Sequence, residues 1–130
     1  MREKPLFLIV DDEKDFLEIM TAKFQSAGFD VAVAHNGTEA VKAAKELLPD
    51  LVLMDIHMPN ETGTDVALTI KQDPATRNLK IAFLTSLKDP WPAMTGEKEK
   101  VARELGMDDF LEKGEDLEVL VQKAKEILSR

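Results

Sequence analysis

Four short apolar segments of this chain each end in a residue whose side chain can bind a metal ion or a phosphate group. Those residues are Asp11 and Asp12, Asp55, Thr85, and Lys113. Continuous apolar segments of four or five residues are typical of strands buried in a parallel sheet. The carboxyl ends of such strands meet along one edge, where ligands bind. The spacing therefore predicts that these five side chains lie together.

The chemistry of these side chains indicates a metal site and phosphoryl transfer. Three carboxylates at one edge repel one another unless a cation lies among them, so Asp11, Asp12 and Asp55 predict a divalent metal. Hard oxygen ligands favour Mg²⁺, and a chain with no cysteine and two histidines is less suited to a transition metal. Thr85 adds a hydroxyl donor and Lys113 adds a charge that pairs with phosphate. Together they form the components of a phosphoryl-transfer site with a carboxylate nucleophile.

The composition indicates one globular domain without contacts to nucleic acid or membranes. The 130 residues are 44% hydrophobic and 32% charged, which suits one core and leaves no room for a second domain. A net charge of −8 argues against direct binding of nucleic acid. No apolar run reaches the roughly 20 residues that span a membrane, and the N-terminus does not resemble a signal peptide. We therefore expect a single domain over residues 1–130, located in the cytoplasm and not inserted in a membrane.

The apolar pattern predicts strands and helices in strict alternation. The predicted strands are 6–10, 30–35, 51–54, 80–84 and 109–112. The predicted helices are 13–27, 36–48, 63–72, 97–105 and 116–129. Residues 86–96, which contain Trp91 between two prolines, cannot form a regular helix throughout. Five strands and five helices joined by short loops predict an α/β fold with a doubly wound parallel sheet.

The motifs in these segments occur together in a known family. They are Asp11-Asp12, the segment DIHMPNETG at 55–63, Leu84-Thr85-Ser86, and Lys113, in this order and on the predicted strands. With these motifs the chain closely resembles the receiver domain of two-component response regulators, and among them the single-domain chemotaxis regulators. The resemblance covers essentially the whole chain. It implies a flavodoxin-like (βα)5 fold with the strand order 2-1-3-4-5.

The resemblance also implies how the site binds its metal and phosphate. Asp55 would accept a phosphoryl group from a sensor histidine kinase or a phosphotransfer protein. Asp12, Asp55 and the main-chain carbonyl of His57 would bind Mg²⁺ directly, and Asp11 would act mainly through a water molecule. No other cofactor is expected.

The same resemblance implies a switch that signals to another protein. Thr85 and Lys113 would hold the phosphoryl oxygens, Thr85 would move toward the phosphate, and Phe110 would change its rotamer with Thr85. The chain would catalyse its own phosphorylation without being an enzyme for a separate substrate. It would signal to an unknown downstream protein, as a monomer or as a phosphorylation-dependent dimer.

Four features depart from the family pattern. Gly114 stands where the family usually has a proline after a cis bond, and the stretch between Thr85 and Lys113 is a few residues longer than usual. Ser86 stands where alanine is common. His57 and Leu87 occupy positions that in the family tune how quickly the phosphate is lost. Because the Leu87 side chain cannot orient an attacking water, we expect slow autodephosphorylation.

Other interpretations of these residues stay open at this point. A haloacid-dehalogenase-type phosphatase needs an Asp-x-Asp motif, whereas Asp11 and Asp12 are adjacent. A flavodoxin-like cofactor binder needs a phosphate loop rich in glycine and hydroxyl groups, where this chain has three acids. Phe110 is also compatible with a simple core position, and Trp91 with either a pinned loop or a partner contact. The nearest alternative is a degenerate receiver that is never phosphorylated and acts as an interaction module.

Overall fold

Five short segments rich in apolar residues form one parallel sheet. The computed structural model describes residues 3–85 and 110–130. The strands of the sheet are β1 (Leu6–Val10), β2 (Asp30–Ala34), β3 (Leu51–Asp55), β6 (Ile81–Thr85) and β7 (Phe110–Glu112). Two further strands, β4 (His57–Met58) and β5 (Glu61–Thr62), form a separate antiparallel hairpin. The order in the large sheet is β2-β1-β3-β6-β7. The predicted α/β fold is confirmed, and without the hairpin strands the order is the expected 2-1-3-4-5.

Four of the five predicted helices lie in the described part of the chain. They are α1 (Lys14–Ser26), α2 (Gly37–Leu47), α3 (Gly63–Gln72) and the C-terminal helix (Leu117–Leu128). The helix expected at 97–105 and the start of the fifth strand at Asp109 lie outside the described residues. The same is true of the irregular segment 86–96, with Ser86, Leu87 and Trp91. None of the described helices has the length and apolar character needed to cross a membrane.

The sheet is covered on both faces, which explains why its strands are apolar without interruption. Successive side chains of a strand point to opposite faces. In β1, Leu8 and Val10 pack in the cluster that contains the buried apolar side chains of α2 and α3. Phe7 and Ile9 pack in the cluster on the other face, with the buried residues of α1 and the C-terminal helix. All four side chains are fully buried. The two helical layers therefore leave the strand ends as the place for a site.

Three of the predicted strand ends are corrected by one residue: β2 ends at Ala34 and not at His35, and the other two concern site residues. Asp55 and Thr85 are the last residues of β3 and β6, whereas the apolar pattern placed them just after these strands. Asp55 pairs with Leu84, and Thr85 pairs with Glu112, in the backbone ladders of the sheet. The difference arises because backbone pairing continues one residue beyond the last apolar side chain. Both functional side chains are thus carried by regular strand backbone.

The hairpin between β3 and α3 replaces a predicted loop. His57 pairs with Thr62, and the turn contains Asn60 with a φ of 65°, which follows Pro59. A proline followed by a left-handed asparagine is typical of a type II turn. Strands of two residues are too short for an alternating pattern, so the sequence predicted only a loop at 56–62.

Candidate functional site

The carboxyl ends of the strands bring the predicted site residues together. Asp11 directly follows β1, and Lys113 directly follows β7. The N–H of Asp11 donates a hydrogen bond to the carbonyl of Ala34 at 3.1 Å. The N–H of Lys113 donates to the carbonyl of Thr85 at 2.7 Å. Backbone hydrogen bonds to neighbouring strands therefore fix where both residues leave the sheet.

Three carboxylates form the acidic cluster of this site. One carboxylate oxygen from each of Asp11, Asp12 and Asp55 lies within 4.8 Å of the others. Asp11 and Asp55 are buried, with exposed fractions of 0% and 4%, whereas Asp12 is exposed. The N–H of Glu13 donates to Oδ1 of Asp11 at 2.8 Å. These oxygens are hard ligands at a spacing that allows one cation to contact all three groups.

One oxygen of Asp55 has the features of a ligand atom. Its Oδ2 is buried and has no hydrogen-bond partner among the described residues. Leaving a buried charged oxygen without a partner is costly, and each such atom in a native structure calls for an explanation, such as an ion that binds there. The donor set and this oxygen together fit a divalent cation, as the sequence predicted.

Lys113 lies between the two buried acids. Its Nζ is 2.6 Å from Oδ2 of Asp11 and 3.4 Å from Oδ1 of Asp55. The ammonium also lies 3.4 Å from a carboxylate oxygen of Glu13 and 5.0 Å from the centre of the Phe16 ring. The side chain is only 16% exposed. Lys113 therefore compensates part of the negative charge of the acidic cluster.

The surroundings of the buried acids change their proton affinity. Burial and the neighbouring charge of Asp11 raise the pKa of Asp55 to about 7, although Lys113 acts in the opposite direction. Burial also raises the pKa of Asp11, against the effects of Lys113 and the N–H of Glu13. For Lys113, burial lowers the pKa, but its contacts with Asp11 and Asp55 more than offset this, and the pKa is raised. A carboxylate whose negative charge is this unfavourable gains from a nearby cation.

Thr85 and Phe110 lie on β6 and β7, the two strands on the opposite side of β3 from β1. Thr85 is 8% exposed at the end of β6. Phe110, at the start of β7, is half-buried and stacks on Phe83, with ring centres 5.8 Å apart and planes inclined at 26°. This contact agrees with the interpretation of Phe110 as a core residue. Its role as a switch stays a prediction.

The structure also places His57 and the peptide bond that follows Lys113. His57 lies in the hairpin strand β4 with an exposed side chain, and the ligand role expected of its carbonyl stays a prediction. The described residues contain no cis peptide bond, so the bond between Lys113 and Gly114 is trans.

Three contacts of the site were not predicted from the sequence. Glu13 and Phe16 contact Lys113, although they were interpreted only as the beginning and the apolar face of a helix. The run of three acids at 11–13 was a signal for Glu13, whereas Phe16 had none. Glu61, in β5, accepts a hydrogen bond from the N–H of Gly37, and no local pattern in the sequence indicates this contact.

Comparison with known proteins identifies the family. The family model of the response regulator receiver domain matches residues 7–125. Because this match covers most of the chain, the chain belongs to the family of response regulator receiver domains. It is therefore a signalling protein of the two-component type, as the motifs predicted.

Similar proteins support this assignment. The DNA-binding response regulator MtrA of Mycolicibacterium paratuberculosis is 34% identical over 130 residues, which are 100% of this chain and 53% of that protein. The chain thus spans about half the length of this relative. The signal receiver domain of a signal transduction histidine kinase from Syntrophus aciditrophicus is 30% identical, with a TM-score of 0.79 over 96% of this chain and 90% of that chain. The chemotaxis protein CheY4 of Vibrio cholerae shares the fold, with a TM-score of 0.82 at 24% identity over 95% of this chain and 98% of that one.

Proposed function

We propose that Asp55 accepts a phosphoryl group from a sensor histidine kinase or a phosphotransfer protein, in a reaction that requires Mg²⁺. The observation that carries this proposal is the state of the Asp55 carboxylate. It is buried, one oxygen is 3.4 Å from the ammonium of Lys113, and the other lacks a hydrogen-bond partner within residues 3–85 and 110–130. A nucleophilic oxygen next to a fixed cation is suited to phosphoryl transfer.

The acidic cluster is proposed as the Mg²⁺ site. Asp12, Asp55 and the main-chain carbonyl of His57 would hold the ion directly, and Asp11 would hold it mainly through a water molecule. The spacing of the three carboxylates supports this assignment. When bound, Mg²⁺ supplies positive charge that neutralises the carboxylates and the phosphoryl oxygens.

The reaction is a displacement at phosphorus. A carboxylate oxygen of Asp55 forms a bond to phosphorus while the bond from phosphorus to the nitrogen of a phosphorylated histidine breaks. The electron pair of the broken bond stays on the imidazole, which leaves with the partner protein. The Lys113 ammonium and the Thr85 hydroxyl, at the ends of neighbouring strands, donate to the phosphoryl oxygens. The chain thereby catalyses its own phosphorylation, and slow hydrolysis later returns Asp55 to its free form.

The output of the reaction is a conformational signal. The new phosphoryl group attracts the Thr85 hydroxyl, and Phe110 changes its rotamer as Thr85 moves. Two states then differ in their contacts with the phosphate, which is the condition for a switch. We propose that residues 1–130 form one receiver domain in the cytoplasm that signals to a downstream protein without direct contact to nucleic acid, as a monomer or a phosphorylation-dependent dimer.

The test is phosphorylation by a small donor. The protein is incubated with acetyl phosphate and Mg²⁺, and its intact mass is followed for the wild type, Asp55→Asn and Asp15→Asn. Asp15 is an exposed acid of α1 and serves as a matched control. We expect one added phosphoryl group on the wild type and on Asp15→Asn, none on Asp55→Asn, and none after EDTA. Equal phosphorylation of Asp55→Asn would refute the assignment. No phosphorylation of the wild type, by acetyl phosphate or by a phosphorylated phosphotransfer protein, would instead favour a degenerate receiver.

A further inference from the structure

The hairpin β4–β5 is held from two sides. On the side of β3, the N–H of Gly63 donates to the carbonyl of Ile56 at 2.7 Å. A Cβ atom at Gly63 would lie 2.0 Å from the carbonyl oxygen of Asp55, so only glycine allows this approach. One end of the hairpin is therefore tied to the strand that carries Asp55. Its other strand, β5, carries a charged side chain.

That side chain belongs to Glu61, which reaches the beginning of α2. Its Oε2 accepts a hydrogen bond of 2.8 Å from the N–H of Gly37, the first residue of the helix. The first N–H groups of a helix have no partner within the helix, and the helix dipole favours a negative charge there. The bond joins residues that are 24 positions apart in the chain. It is the kind of contact that fixes one loop against another element.

Gly37 is the residue that permits this bond. A Cβ atom at position 37 would lie 2.0 Å from Oε1 of Glu61 and 2.7 Å from Cγ2 of Val66 in α3. Gly37 itself is buried. The beginning of α2, the hairpin and α3 therefore meet at one close contact.

The contact also connects the two sides of the acidic cluster. On one side, α2 follows β2, whose residue Ala34 accepts the backbone hydrogen bond of Asp11. On the other side, the hairpin contains His57, whose carbonyl is a proposed metal ligand. The hydrogen bond between Glu61 and Gly37 joins the hairpin to α2 and so connects these two sides. Loss of this bond would remove the side-chain hydrogen bond that ties β5 to α2.

We propose that Glu61 is a positioning residue for the metal site, which holds the hairpin so that the His57 carbonyl stays in place to bind Mg²⁺. This proposal rests on the proposed function, because it requires that the cluster binds Mg²⁺. Mutation of a group that orients a metal ligand without contacting the ion typically lowers metal affinity by about 10- to 100-fold. The Glu61 carboxylate acts through the backbone and need not contact the ion.

The test measures Mg²⁺ binding by calorimetry for the wild type and three variants of Glu61. Glu61→Ala removes the bond, Glu61→Asp keeps the charge but shortens the side chain, and Glu61→Gln removes the charge but keeps an oxygen that can accept from Gly37. We expect roughly tenfold weaker binding for Ala and Asp, and binding within about twofold of the wild type for Gln. Asp65→Asn removes a charge from the same groove between α2 and α3 and is expected to leave the affinity unchanged.

A second measurement does not depend on the metal. Hydrogen exchange of the backbone N–H groups at 57–58 and 60–62, in EDTA, is expected to be faster in Glu61→Ala and Glu61→Asp than in the wild type and Glu61→Gln. A loss of affinity in Glu61→Gln equal to that in Glu61→Ala would overturn the proposal, because charge and not position would then be responsible. Unchanged affinity in Glu61→Ala would also overturn it. Failure of the wild type itself to bind Mg²⁺ would refute the proposed function, and the positioning role with it.

Discussion

At the scale of single residues, Asp55 is an acid whose buried environment strongly changes its proton affinity. Its carboxylate is buried beside Asp11, and its pKa is raised to about 7 from the ordinary value of 3.8. The ionised form of Asp55 is therefore less favourable in the folded protein than in the unfolded chain. Stability is lost as the pH rises from about 4 to 7, since the unfolded chain releases this proton first. The residue proposed to carry the reaction thus destabilises the metal-free fold.

Replacement of Asp55 by asparagine tests this cost. Asp55→Asn is expected to raise the free energy of unfolding in EDTA by about 2 kcal/mol at pH 8, less than the full shift implies because the contact with Lys113 is lost. The gain should shrink to well below ~1 kcal/mol at pH 4, where Asp55 is protonated in the folded wild type. Urea unfolding at both pH values measures it. Equal stability of wild type and variant at pH 8 would contradict the argument, and Asp15→Asn serves as the control for loss of a surface charge.

Lys113 has the opposite effect on the same cluster. Lys113→Met leaves Asp11 and Asp55 buried without their cation, and removal of one partner from a buried pair costs about 3 kcal/mol or more. We expect this loss in EDTA at pH 8, and a smaller loss in excess Mg²⁺, because the ion then supplies the missing charge. Lys123→Met is the control, since Lys123 pairs with Glu115 near the surface and its loss should cost under about 1 kcal/mol. A loss that Mg²⁺ does not reduce would count against a shared role of Lys113 and the metal.

At the scale of elements, the chain divides into parts that were predictable and parts that were not. The strands could be predicted because each presents a run of apolar residues to two covered faces. The helices could be predicted from their apolar spacing and from end residues such as Asn36, which accepts a hydrogen bond from the N–H of Glu39. The hairpin could not, because two-residue strands form no pattern. The hydrogen bond from the N–H of Gly37 to Glu61 could not either, because it depends on how the hairpin and the beginning of α2 approach each other in space.

The site was predictable to a similar degree. Asp11, Asp12, Asp55, Thr85 and Lys113 were found because each follows or ends an apolar run. Their exposure was not predictable, since nothing in the sequence distinguishes the buried Asp11 from the exposed Asp12 beside it. The contact of Lys113 with Phe16 was also missed, because an aromatic residue on an apolar helix face has a sufficient explanation as core.

The end of the C-terminal helix depends on a lysine from another element. Lys80, just before β6, donates from Nζ to the carbonyls of Leu128 at 3.0 Å and Ile127 at 3.4 Å. The last carbonyls of a helix have no partner within it, and a positive charge is favourable there. We expect Lys80→Met to lower stability by about 1 kcal/mol and to speed hydrogen exchange at 126–130. Lys42→Met, at an exposed position in α2, is the matched control. Unchanged exchange at the end of the helix in Lys80→Met would contradict this role.

At the scale of the whole molecule, the protein carries an excess of negative charge. The net charge of −8 opposes the compact state, and part of that charge is concentrated in the acidic cluster. A divalent cation in the cluster would therefore stabilise the fold in two ways, by binding the folded state and by reducing local repulsion. Salt alone acts only through general screening.

This difference between specific binding and screening leads to a measurable outcome. Mg²⁺ at about 100 times its Kd is expected to raise the free energy of unfolding by about 2.7 kcal/mol above the value in EDTA. NaCl at the same ionic strength should have a smaller effect. In Asp12→Asn the effect of Mg²⁺ should fall to that of NaCl, because a ligand is lost while the fold keeps its buried acids. Thermal unfolding in the three solutions measures this, and equal effects of Mg²⁺ and NaCl on the wild type would argue against a metal site.

The position of Lys113 between Asp11 and Asp55 has a consequence for the speed of signalling. Because the ammonium already bridges the two acids, the strand ends are held close together before any ion arrives. Binding of Mg²⁺ would then require no folding step and no closure of the sheet. We expect the slow event of Mg²⁺ binding to be the loss of water from the ion, which dehydrates reluctantly. We therefore expect a site that is already formed before Mg²⁺ binds, so that binding is as fast as the dehydration of the ion.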